Sequence, residues 1–126
     1  MSDPAYSNVV TEHFDRPRNV GVLATAPDVI SGRAGSREQG TEFRLTARVA
    51  EDRIVEARFQ VFGCPHCVAA GSILTDTLVG KDLAFLRTWS WRELASQLEL
   101  PTTKRGRFLI LEDAVRAMAD DWARRF

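Results

Sequence analysis

The sequence predicts an α+β fold, with strands gathered in the middle of the chain and helices on either side. Two observations carry this. Residues 41–62 alternate apolar and polar side chains, with one polar interruption. Residues 6–14, 68–79 and 108–122 instead repeat their apolar side chains every three or four positions. The 126 residues suit one compact domain spanning 1–126.

Taken in order, Tyr6, Val9, Val10, His13 and Phe14 fall on successive helical turns, and Pro17 ends them. Arg16 to Gly21 is then a turn. Ser31 to Gly40 carries three glycines and no apolar period, and is expected to be a loop. From Thr41 to Val49, Phe43, Leu45, Ala47 and Val49 fall on one side, with Glu42, Arg44, Thr46 and Arg48 on the other. That is a half-buried strand. Glu51-Asp52-Arg53 is a tight polar turn. Ile54 to Phe62 resumes the alternation through Ile54, Ala57, Phe59, Val61 and Phe62, so the two runs form an antiparallel hairpin. Gly63-Cys64-Pro65 closes it.

Val68, Ala69, Ile73, Leu74, Leu78 and Val79 then recur at helical spacing, with Pro65 suited to the first turn and Gly80 to the stop. Trp91 to Leu98 is a short helix capped by Ser90, with Glu93 three residues on, and Pro101 terminates it. Phe108 to Trp122 is a long last helix, apolar at Leu109, Leu111, Ala114, Val115, Met118 and Trp122.

Charge excludes some partners. Lys plus Arg and Asp plus Glu balance at 17 each, and no basic stripe with interleaved aromatics occurs. Nothing draws the chain to nucleic acid or to an acidic membrane. No apolar run approaches the ~20 residues that span a bilayer. The start Met1-Ser2-Asp3-Pro4 has neither a basic nor an apolar leader region, so no secretory signal is expected. The two cysteines, Cys64 and Cys67, stand too close to staple a fold. They read as chemistry or metal in a reducing, cytoplasmic compartment.

Gly63-Cys64-Pro65-His66-Cys67 is the one dense cluster of soft ligands. It falls at a strand-to-helix junction, where free N–H groups and the positive end of the helix dipole favour thiolate. Thiols three positions apart share a helix face. They could chelate one soft metal ion or form a strained disulfide, with His66 as a nitrogen ligand. Three readings stay open. Metal binding has three donors here where a closed site usually needs four. Thiol–disulfide chemistry suits the C-x-x-C spacing, and the Pro65-His66 pair is similar to that of DsbA-type oxidoreductases, but the β-α-β alternation of a thioredoxin fold is missing. The third is two partly buried thiols with no chemistry. Elsewhere, His13 reads as a structural histidine. Trp89, Trp91 and Trp122 read as packing residues. Lys104-Arg105-Gly106-Arg107 reads as a solvated basic loop able to hold an anion or an acidic partner. Asp120-Asp121 reads as a solvated helix face.

Four segments resemble one family in order and spacing. They are Tyr6-Ser7 through Phe14 with Pro17-Arg18-Asn19-Val20-Gly21; Glu56 to Cys64; Leu98 to Lys104; and Leu109 to Ala114. Together they are similar to the IscU/NifU-N family of iron–sulfur cluster scaffold proteins. The resemblance implies a three-stranded antiparallel sheet with helices packed on one face. It also implies a [2Fe–2S] or zinc site of three cysteines, an aspartate and a histidine. Of these five, only the second cysteine is kept, as Cys64. Gln39 and Thr41 take the places of the first cysteine and the aspartate. Gly106 and Arg107 take those of the histidine and the third cysteine. Arg107 cannot ligate a metal, and it would attract an anion or a thiolate. Leu98 to Lys104 resembles the family's chaperone-recognition loop, with Thr102-Thr103 in place of Pro-Val.

The leading expectation is therefore a non-enzymatic scaffold with a site rebuilt from Cys64, Cys67 and His66. It would hold iron, a [2Fe–2S] cluster or zinc across a homodimer. Lys104, Arg105 and Arg107 would meet partners, implied to be a cysteine desulfurase and a chaperone. Two alternatives stand beside it: a metal-free binding module for the same partners, and a thiol–disulfide or sulfur-transfer protein using Cys64-Pro65-His66-Cys67.

Overall fold

The alternating middle of the chain is a hairpin. β2 (Thr41–Ala50) and β3 (Arg53–Phe62) pair antiparallel, with Leu45 opposite Phe59 and Glu42 opposite Phe62. Glu51 and Asp52 turn between them, both at positive φ (52° and 63°), as the tightest hairpin turns require. The computed structural model describes residues 6–126, so the start Met1-Ser2-Asp3-Pro4 lies outside the described residues.

The expected loop from Ser31 to Gly40 is corrected. Val29–Ser36 is a strand, β1, antiparallel to β2, and completes a three-stranded sheet in the order β1-β2-β3. Only residues 37–40 turn. The glycines that hid this strand serve a close approach. A Cβ on Gly32 would overlap the Ala114 carbonyl oxygen and lie 2.5 Å from the Met118 nitrogen. The last helix thus rests directly on the backbone of β1, where a side chain cannot fit.

Among the described residues five α-helices accompany the sheet: α1 (Asn8–Asp15), α2 (Pro65–Leu78), α3 (Leu83–Thr88), α4 (Trp91–Gln97) and α5 (Arg105–Arg125). α5 packs on β1 and β2, α2 on β3, α1 on α2, and α3 and α4 on α5. Phe43, Phe59, Phe108, Leu45, Leu74, Leu111 and Met118 fill the layer between sheet and helices. Trp91 and Trp122 are buried there, and Trp89 packs half-buried against it, as packing residues should. On the opposite sheet face the α1–β1 connection crosses β2, and the Leu23 N–H donates to Thr46 Oγ1 at 3.0 Å. Among the described residues no helix is long and apolar enough to cross a membrane.

Local signals explain the boundaries. Ser7 caps α1 by accepting from the Val10 N–H at 3.3 Å, so Tyr6 stands outside the helix rather than on its face. Val9 and Phe14, expected on that face, are exposed. Ser90 caps α4 by accepting from the Arg92 N–H at 3.3 Å. α3 escaped the periodicity because it has six residues; Asp82 caps it, accepting from the Phe85 N–H at 3.0 Å.

The turn after α1 anchors α2. Ser72 Oγ accepts from the Arg18 N–H at 2.9 Å and bonds His13 Nδ1 at 2.8 Å. Asn19, at φ 64°, donates to Thr75 Oγ1 and Asp76 Oδ1 at 3.1 and 3.0 Å. Val20 then pairs with Phe59 as one parallel bridge at the β3 edge. His13 and the Pro17–Gly21 segment therefore do structural work: they lock α2 in place.

Asp121 is also corrected. Asp120 is exposed, but Asp121 is buried and accepts from the Ser31 N–H at 2.8 Å, from Arg124 at 3.0 Å and from Arg125 at 3.1 Å. It ties α5 to the first strand. Burial pushes its carboxyl up, but the Ser31 N–H and the two arginines outweigh that and hold it below the ordinary range. A carboxylate lowered in the folded state stabilises above its unfolded value, near pH 4, and that contribution fades as pH falls through the folded value. Asp121→Asn is therefore expected to cost about 2 kcal/mol at pH 7. In urea unfolding the gap from wild type should narrow below about pH 4. A gap that stays constant into acid would contradict the assignment.

Candidate functional site

The site forms where β3 ends and α2 begins. Gly63 turns the chain, and Cys64 sits at the N-cap in extended conformation (φ −83°, ψ 173°) without a side-chain capping bond. Pro65 opens the helix, as expected, because its missing N–H belongs to the first turn. The Cys67 N–H donates to the Cys64 carbonyl at 2.9 Å, which winds the first turn tightly. The two sulfurs consequently face each other at 3.8 Å. Gly63 leaves room for this: a Cβ there would lie 3.0 Å from Cys67 Cβ and 3.1 Å from its sulfur.

The two cysteines differ in access. Cys64 is half-buried, whereas Cys67 is wholly buried within the core. His66 is also buried, at 1% exposure. Its ring packs tilted on Tyr6, centroids 4.8 Å apart, and Lys104 Nζ donates to its Nδ1 at 3.2 Å. Lys104 also lies over the Tyr6 ring, 5.1 Å from its centroid.

Lys104 and Arg107 arrive from the 3₁₀ turn Thr102–Lys104 and the first turn of α5. Arg107 comes close enough to Cys64 for its positive charge to pull the thiol down. Of the basic run, only Arg105 and Gly106 are exposed. The expected solvated loop is corrected accordingly: Lys104 and Arg107 turn inward and form the cationic wall of the cysteine site. Gln39 stays exposed in its own turn, where its N–H donates to Ser36 Oγ at 3.2 Å, and Thr41 is buried. Among the described residues no three His, Cys, Asp or Glu side chains are arranged to hold a metal ion.

Electrostatics separate the thiols. The hydrogen bond shared with Cys67 comes first, and Arg107 and Lys104 add positive charge, so Cys64 is pulled down to about 4 against the push of burial. Cys67 moves up, because Cys64 holds its hydrogen bond and burial disfavours a second charge. Burial, then Lys104, push the His66 imidazolium down, so the ring is neutral at pH 7. The first proton thus leaves the pair from the half-exposed sulfur beside two cations, and the remaining one is held between the sulfurs.

This predicts a distinctive alkylation profile. Above a lowered value the thiolate fraction is saturated, so iodoacetamide should label Cys64 at nearly the same rate at pH 6 and pH 8. An ordinary thiol slows by roughly a hundredfold over that range. Cys67→Ala should restore the steep dependence. A wild-type rate that falls tenfold per pH unit below 8 would contradict the arrangement.

Sequence reasoning missed the burial of His66 and Cys67, and the contribution of Tyr6. One signal was present. Residues 66, 70, 74 and 78 form a row at spacing four that is buried throughout, and residues 67, 71 and 75 form a second. Both cluster residues stand at the heads of inward-facing rows. No local pattern announces Tyr6, which reaches His66 only through the fold.

Comparison with known proteins agrees with this architecture. The iron–sulfur cluster assembly scaffold protein IscU of Azotobacter vinelandii is 37% identical over 120 residues, covering 94% of each chain. The iron–sulfur cluster assembly protein 1 of Trachipleistophora hominis is 32% identical, covering 95% of this chain and 88% of that one. Among solved structures, one from Fervidobacterium islandicum, assigned as a SUF-system scaffold, superposes with a TM-score of 0.68 at 15% identity, covering 90% of this chain and 96% of that one. The N-terminal part of a NifU-like protein from Brucella abortus gives 0.55 at 19%, covering 94% and 81%. These two speak for the fold alone. Residues 5–126 match the family described as the NifU-like N terminal domain, and this chain belongs to that family.

Proposed function

We propose that this chain is a single-domain, non-enzymatic scaffold of iron–sulfur cluster assembly. It holds its cargo, iron, a [2Fe–2S] cluster or zinc, on Cys64 and Cys67. One observation carries the reading: the sulfurs are 3.8 Å apart. Two thiolates bound about 2.3 Å from one tetrahedral ion stand about 3.8 Å apart, so the donors are already at chelating distance. Two thiols per chain leave the ion half-coordinated. Two chains meeting at their cysteine ends supply four, the number that both closed zinc sites and [2Fe–2S] clusters take.

Arg107 and Lys104 oppose an incoming cation, so the thiolates bind their cargo against that charge. His66 is a reserve ligand; to bind, its Nδ1 must give up Lys104. The relatives named as assembly scaffolds suit a sulfur-supplying cysteine desulfurase as partner, which the exposed Arg105 would meet, and the two thiols suit a reducing, cytoplasmic compartment. Thr102 and Thr103 are exposed and remain available to a chaperone. Neither nucleic acid nor membrane is part of this reading.

Anaerobic reconstitution tests it. With ferrous iron, sulfide and reductant, the expected result is a cluster spectrum and a dimeric mass, with about half a cluster per chain. Cys64→Ser and Cys67→Ser should each abolish both iron and zinc retention. If neither metal is retained at any oligomeric state, the site is not a metal site, and a metal-free binding module for the same partners becomes the better account.

A further inference from the structure

We propose that Cys64 and Cys67 form a stoichiometric thiol–disulfide couple that exchanges with small anionic disulfides, Cys64 as the attacking sulfur and Cys67 as the resolving one. This goes beyond the metal reading and does not depend on it.

The assignment of roles follows from access. Cys64 is half-buried at the mouth of the site, and Cys67 is wholly buried, so an external disulfide meets only Cys64. Closing the ring requires the sulfurs to move from 3.8 Å to about 2 Å. The Cys64 side chain can rotate toward its partner, because it makes no capping bond that would hold it. Gly63 removes the one Cβ that would press on Cys67 during closure. A buried resolving sulfur already in contact with the attacking one closes the ring faster than a second external molecule can reach it.

The choice of substrate follows from charge. Arg107 is half-buried in the first turn of α5, and Lys104 beside it bonds His66. Arg105 is exposed in the same turn. Arg37 lies over the Phe62 ring, 4.9 Å from its centroid, two residues before Cys64. An incoming disulfide bearing carboxylates is attracted by this wall, and one bearing amines is repelled.

The step balances. The Cys64 thiolate, its proton already lost to water, attacks one sulfur of the small disulfide. That S–S bond breaks, and the departing thiolate takes up a proton. Cys67 then loses its proton and attacks Cys64 Sγ, releasing the second small thiolate, which is protonated in turn. Two protein thiols are oxidised, and one small disulfide is reduced to two thiols.

The test uses the full chain, reduced and stripped of metal with a chelator, treated with glutathione disulfide and followed by intact mass and free-thiol titration. Wild type should lose both thiols and the mass of two hydrogen atoms, with no lasting adduct. Cys67→Ser and Cys67→Ala should stop as a glutathione adduct on Cys64; the alanine variant avoids burying a hydroxyl. Cys64→Ser should stay unmodified while folded. At low salt, glutathione disulfide should react about tenfold faster than the cationic cystamine, and the difference should shrink as salt is added. The proposal is overturned if wild type stops at the adduct, if Cys64→Ser reacts as fast as wild type, or if cystamine reacts as fast as glutathione disulfide. Because no metal is present, those outcomes leave the metal reading intact, and failed reconstitution leaves this one intact.

Discussion

Arg107→Cys is expected to tighten zinc binding on the order of a thousandfold. The argument is electrostatic. The Arg107 charge pulls the Cys64 thiol down, so it lies close to any ion that Cys64 would hold. Two unit charges 4 Å apart near a protein surface interact by about 4 kcal/mol, and each 1.4 kcal/mol is tenfold in affinity. The substitution removes that repulsion and adds a third thiolate at the position where the family resemblance puts a cysteine. Part of the gain is offset, because without Arg107 the Cys64 thiol rises toward its ordinary value and must be deprotonated on binding. Competition against a chromophoric zinc chelator at pH 8 measures the net effect. Arg107→Leu, which removes the charge and adds no ligand, should fall between wild type and the cysteine variant. If Arg107→Cys binds zinc no more tightly than wild type, residue 107 and Cys64 do not face one ion.

Gly32→Ala is expected to destabilise the fold by about 3 kcal/mol, the upper end for overpacking by a single methyl. What the new Cβ meets decides the size. It would overlap the Ala114 carbonyl oxygen and lie close to the Met118 nitrogen, and both are backbone atoms of α5. Backbone cannot swing aside as a side-chain tip can. Either α5 lifts or β1 shifts, and both movements stretch the neighbouring bond from the Ser31 N–H to Asp121. Gly106→Ala is the contrast. Gly106 lies in the first turn of α5 with nothing within 4 Å of its added Cβ, so that change should be neutral or slightly stabilising. Urea midpoints for the two variants test this. Equal midpoints would mean that helix and strand are not as closely packed as described.

The hairpin was legible because a period of two is a local property, set by each residue's place on a pleated strand. α2, α4 and α5 were legible through spacing and caps: Pro65 and Ser90 each open a helix where expected. β1 was illegible for the reason that Gly32→Ala would cost so much. Gly32 answers to a helix some eighty residues away, and a glycine-rich strand reads locally as a loop. The run Asp120-Asp121 misled for the same reason. One carboxylate faces water and its neighbour faces Ser31, and adjacent residues on a helix point in different directions.

At the site, the sequence by itself determined the Cys64-Pro65-His66-Cys67 cluster and its place at a strand-to-helix junction. Cysteines three apart on a helical turn must face one another, so the pairing of Cys64 with Cys67 needed no tertiary information. The tertiary structure alone decided which sulfur is reachable, that His66 and Lys104 bond each other, and that Arg107 stands against Cys64. Lys104 lies 38 residues from His66 in the chain, so no local period relates them. They meet because α5 must cross the sheet to bury Phe108, Leu111 and Met118, and that crossing carries its basic first turn to the end of the sheet where α2 begins.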